Sequence, residues 1–132
     1  LLPNLMLVDV MDDGARFRIR LVGTALTDAT GIDATGRFLP EIMPAGPFAD
    51  YVVGLYQEAV AEACPIYAEC EHGDPEHVQH TTLRLIMPLS GADDSVDATL
   101  VGQIYATAEA GAVVHQVDEE GVFEEGVRVL LT

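Results

Sequence analysis

Residues 16–22, Arg16-Phe17-Arg18-Ile19-Arg20-Leu21-Val22, alternate without a break between arginine and a bulky apolar side chain. A period of two is the mark of a strand with one face in a core. Phe17, Ile19 and Leu21 are therefore expected inward, and Arg16, Arg18 and Arg20 outward. Upstream, Leu5-Met6-Leu7-Val8-Asp9-Val10 is a second β-rich run. Between the two, Met11-Asp12-Asp13-Gly14 carries the Asp-Gly chemistry of a tight turn. The chain opens on an antiparallel hairpin.

Gly23 ends the hairpin, and the next twenty residues are broken by Gly31, Gly36, Pro40, Pro44, Gly46 and Pro47. Residues 24–30 read as a short helix closed by Gly31, and 33–43 as another short helical turn. Pro47 suits a first helical position, and residues 47–63 form the one long helix. Its apolar stripe is Phe48, Tyr51, Val52, Leu55, Ala59 and Ala63, with Asp50, Gln57, Glu58 and Glu62 mainly opposite. Cys64-Pro65 stops it. Three strands follow, at 66–71, 81–89 and 100–107. The first two are joined by a polar hairpin loop at 72–80. The fold class is α+β: two strands, a helical excursion, then three antiparallel strands. Residues 112–117 suit either strand or helix. The acidic stretch after them and the apolar 127–131 are expected to pack on the sheet or on a second subunit. The expected organisation is one domain at 1–107 with an acidic extension at 108–132.

With 132 residues and nearly half of them apolar, the chain can close one core. Its 22 acids stand against six bases, all arginine, for a formal charge of −16. Such a surface repels phosphate backbones and anionic lipid, so neither nucleic acid nor a membrane is an expected partner. No apolar run reaches the ~20 residues of a membrane span. The start, Leu1-Leu2-Pro3-Asn4, lacks the features of a signal peptide, and a cytoplasmic location is expected. Two cysteines, Cys64 and Cys70, make no disulfide scaffold and are expected as thiols.

Element order and local motifs together resemble the PAS fold, in particular a bacterial subfamily of short, mostly single-domain members. The residues that carry the likeness are Arg18-Ile19-Arg20-Leu21-Val22-Gly23-Thr24, then Gly31, Asp33, Thr35-Gly36-Arg37 and Leu39. Leu83, Leu85 and Met87-Pro88-Leu89-Ser90 complete it. The resemblance implies a cupped five-stranded antiparallel sheet with short helices and one long helix on its inner face. It implies a cavity between them, and a dimer contact on the outer face or through a terminal helix. It also implies a sensor of a small molecule that signals through a homodimer or a partner protein, or else a ligand-free interaction module. No catalytic step is expected: the serines lack a nucleophile elbow. A cone-shaped isomerase is the enzyme alternative, but that fold usually begins with helices.

Candidate lining residues for the cavity are Phe17, Ile19 and Leu21 with Leu5 or Leu7, then Phe38, Leu39, Tyr51, Leu55 and Tyr105. The same residues would equally make an ordinary core. The ligand itself is unknown. Residues 24–63 hold no histidine, which argues against haem. Thr35-Gly36-Arg37-Phe38-Leu39 resembles a shortened flavin photosensor motif, but without a cysteine it cannot form the covalent adduct. His72, His77 and His80, with Cys70, Glu71, Asp74 and Glu76, have ligand chemistry but no closed-site spacing, so no metal is assigned. The Arg16/Arg18/Arg20 row is either a solvated face balanced by nearby acids or an interface. In the second case it would meet a partner or the chain's own Glu119, Glu120, Glu124 and Glu125.

Overall fold

The computed structural model describes residues 2–73, 80–107 and 122–132. Its elements are strand β1 (Leu5–Met11), strand β2 (Arg16–Val22), helix α1 (Thr24–Thr30), helix α2 (Pro47–Glu62), and strands β3 (Ile66–Gly73), β4 (His80–Ser90), β5 (Val96–Thr107) and β6 (Val122–Leu130). The strands form one antiparallel sheet in the order β2-β1-β5-β4-β3-β6. This is an α+β architecture with six strands where five were expected. The sixth comes from the C-terminal stretch, whose apolar residues pair with the edge of β3 from Ile66↔Leu130 to Gly73↔Val122.

The opening hairpin forms with one departure. The register of β1 and β2 shifts between Leu7 and Val8, so that Leu7 faces Leu21 while Val8 faces Ile19. One residue of β2 is bulged out, and the alternation inverts beyond it. Phe17 and Ile19 are buried as expected, but Leu21 turns outward and is 60 % exposed.

The Gly-rich motif after α1 is a latch. Gly31 caps α1 in the left-handed conformation, its N–H donating to the Thr27 carbonyl. Asp33 Oδ1 accepts the Thr35 N–H at 3.1 Å. Gly36, at φ +83, turns the chain so that its N–H donates to the Ile19 carbonyl. The Arg37 carbonyl accepts the Ile19 N–H in return. These bonds hold 36–38 against the free edge of β2. Pro40 and Gly36 leave room for only one 3₁₀ turn, Leu39–Ile42, where a longer helical segment was expected.

Helix α2 buries Phe48, Ala49, Val52, Leu55, Tyr56 and Ala59, one stripe at 3.6-residue spacing. It lies over β3 and β4, with α1 and the 3₁₀ turn beside it on the same face. At its end Ala63 is forced into the left-handed region (φ 51, ψ 38) to close the helix. A residue with a Cβ pays for that geometry, and glycine does not. Ala63→Gly is expected to stabilise the fold by about 0.5–1 kcal/mol, read as a higher urea midpoint with unchanged slope. A lower midpoint would show that the cap is not strained.

Candidate functional site

The register of the three central strands decides what faces α2. Arg84 on β4 stands opposite Gln103 on β5 and Ala68 on β3, and Thr82 stands opposite Tyr105 and Cys70. The inward residues of β4 are therefore His80, Thr82, Arg84 and Ile86, all buried. Leu83, Leu85 and Met87 alternate with them and face the other way. A polar row thus runs beneath the long helix, where a pattern of leucines had offered an apolar face.

Arg84 is the centre of this row and only 6 % exposed. Its Nε donates to Gln103 Oε1 at 3.2 Å, and Gln103 Nε2 donates to the Tyr105 hydroxyl at 2.5 Å. No carboxylate among the described residues forms an ion pair with it; the ion pairs there belong to Arg16, Arg20 and Arg128. Burial pushes the phenols of Tyr56 and Tyr105 up, and the Arg84 charge pulls against it at both.

Beside Arg84 lies a cavity of about 50 Å³. Arg84, Gln103, Tyr105, Tyr56 and Thr30 supply its polar wall. Met6, Val22, Leu26, Leu39, Ile42, Met43 and Val52 supply most of the apolar wall. The space suits a few waters or a ligand of a few heavy atoms; ordinary ligand pockets begin at about 300 Å³. A larger guest requires α1 and residues 31–43 to move outward. A second, more open trough of about 310 Å³ lies on the far side of the latch, between Ala15, Arg16, Phe17, Phe38, Pro40, Glu41 and Val53. Among the described residues it holds no buried charged or polar side chain, so the inner cavity is the better candidate.

The eight expected lining residues separate into five groups. Leu39 and Tyr105 line the inner cavity. Phe17 and Phe38 line the outer trough, with Phe17 also packed on Tyr56 at 5.4 Å between ring centroids. Ile19 and Leu55 are wholly buried core, and Leu21 faces solvent. Tyr51 stacks with Phe48 and Phe123 and donates its hydroxyl to Glu125 at 3.1 Å.

The arginine row is occupied by its own neighbours. Arg16 pairs with Asp12 at 3.8 Å and lies over the Phe38 ring. Arg18 donates to the Gly36 carbonyl, and Arg20 pairs with Asp9. Glu125 is engaged by Arg128 at the opposite edge of the sheet, so the described part of the tail does not meet the row. Glu119 and Glu120 lie outside the described residues, as do Asp74, Glu76 and His77 of the histidine cluster.

His72 and His80 were expected in a solvated loop, but the two strands run on through them. The inward alternation of Ala68 and Cys70 continues to His72, which is buried and stacks on Phe48 at 5.3 Å and His80 at 5.8 Å. His72 Nε2 is 2.6 Å from the Thr82 hydroxyl. Burial also pushes the Cys70 thiol up, which suits an inert core cysteine. No helix among the described residues is long and apolar enough to cross a membrane. Compared with known proteins, the chain matches no family model and no curated sequence.

Desolvation first, then the charges of Arg84 and His80, pull His72 down to about 4. The unfolded histidine takes up its proton near pH 6.5, well above the folded one. Stability from this group is therefore full above pH 6.5 and is lost as pH falls toward 4. Between pH 7 and 5 the loss is about 2 kcal/mol. Denaturant titrations of wild type and His72→Gln across this range should diverge by that amount. Parallel pH profiles would mean that His72 titrates in the fold as it does in the unfolded chain.

Proposed function

We propose that this chain is a PAS-type sensory domain. It takes a small molecule into the cavity between sheet and helices, and passes the change to a second copy or a partner protein. The observation that carries the reading is a cavity with a buried charged wall, roofed by the segments between β2 and β3. Those roof segments are short and latched by few bonds, so occupancy can alter their position. The reading assigns no catalytic step and places the domain inside the cell.

The outer face of the sheet supports the second half of the reading. One row across it runs Leu21, Leu7, Leu100 and Met87; the next runs Leu5, Gly102, Leu85, Tyr67 and Val129. Ile104 beside them is 54 % exposed. A continuous apolar face of this breadth on a strongly acidic chain is an association surface. The small volume of the inner cavity favours a second reading, a ligand-free interaction module whose own side chains fill the space.

Native mass spectrometry compared with the denatured mass tests both halves at once. The expected result is a dimer carrying a mass that leaves on denaturation. Ile104→Glu should convert it to monomer, while Arg18→Glu should leave the dimer intact, because Arg18 is held by its own chain. A dimer without added mass, which no small molecule stabilises against heat, would make the module reading the correct one. A wild-type monomer would remove the outer-face contact between copies.

A further inference from the structure

The geometry points to a small carboxylate as the cavity's ligand, bound by the guanidinium of Arg84. This inference rests on the sensor reading and names the chemical class that the site would take. Arg84 is more than nine-tenths buried and lines the cavity. Its one hydrogen-bond partner among the described residues is Gln103, which engages only Nε. Neither terminal nitrogen has a hydrogen-bond partner among the described residues. A guanidinium cannot shed its charge by deprotonation, so burying one without a counter-ion is costly unless an anion joins it. The two terminal nitrogens form a planar fork that matches a carboxylate.

The surroundings select among anions. Burial keeps Tyr56 and Tyr105 as phenols, so each hydroxyl is a donor or acceptor and adds no negative charge. No acidic side chain among the described residues lines the cavity. The remaining wall is aliphatic and thioether, from Met6, Leu26, Leu39, Met43 and Val52, apart from Thr30, whose hydroxyl already donates to the Leu26 carbonyl at 3.0 Å. That wall suits an alkyl group and leaves a second carboxylate, a sugar or a phosphate ester without partners. The volume limits the alkyl part to a short chain. Elsewhere the chain carries a strong negative charge, so anions are held off its surface, and only a dry, local cation can retain one.

Sodium acetate, propionate and butyrate, titrated at constant ionic strength with sodium chloride as the control, test this by thermal shift and ligand-observed NMR. At about 10 mM, at least one carboxylate should raise the melting temperature above the chloride control, whereas its primary amide should not. Arg84→Met should lose about tenfold or more in affinity while melting no lower than wild type, because it removes an uncompensated charge. The carboxylate and amide comparison uses the wild-type chain, so it decides the matter even if the variant fails to fold. Equal shifts with acid and amide would overturn the carboxylate while leaving a small-molecule site standing. A shift with chloride alone would reduce the site to an inorganic counter-ion. No shift with any of these probes, together with no resident mass in the native protein, would remove the sensor reading as well.

Discussion

The alternation of β4 is the constraint on which the rest depends. Because β3 and β5 pair with it on either side, its facing cannot slip by one residue without exchanging every side chain between the two surfaces. In the register it adopts, Thr82 and Arg84 go under the helix while Leu83, Leu85 and Met87 go to the outside. An ordinary two-layer domain would choose the reverse. Two consequences follow from this one register: the interior contains a charge that no described carboxylate pairs with, and the exterior presents an apolar sheet that nothing in the described chain covers. Both faces are therefore incomplete, the inner one in charge and the outer one in burial.

Much of the architecture was legible in local sequence because local chemistry determines it. The alternation at 16–22, the Asp-Gly turn, Pro47 at the start of α2 and Gly31 at the end of α1 each act within a few residues, and each element stands where its signal lies. The errors came where distant residues decide. Leu21 faces solvent because of a bulge set by its pairing with β1, and no pattern within 16–22 announces it. The strands at 66–71 and 81–89 extend through His72 and His80 because Phe48, more than twenty residues away, covers the His72 imidazole, which in turn stacks on His80. The sixth strand depends on the free edge of β3, a property of the assembled sheet.

The site was less legible than the fold for the same reason. Aromatic and aliphatic residues near the hairpin and long helix were natural candidates for a lining, yet most of them are core or outer wall. Arg84 and Gln103 carried no local mark, since each sits in a segment that otherwise reads as plain strand. One signal was available. Arg84 is an arginine inside a run of Leu83, Leu85, Ile86 and Met87, flanked by no acid within several residues. Ile86 shares a face of the strand with Arg84, so whichever way that face points, the isoleucine or the lone cation lies against its preference.

The two incomplete faces are physically linked through β4 and β5. Leu83 and Leu85 on the outer surface are covalent neighbours of Arg84, and Ile104 is the neighbour of both Gln103 and Tyr105. A shift in the strands that accommodates a guest beside Arg84 and Gln103 therefore moves the backbone that carries the outer leucines. A packed sheet transmits such a displacement poorly along its width but directly through its thickness, because inner and outer side chains share the same backbone. On the proposed reading, a ligand that binds more tightly to one arrangement of β4 and β5 favours the association that the same arrangement fits. This coupling needs no chain of intermediaries across the fold. It requires only that the charge and the apolar face be built on the same two strands, which is where the register puts them.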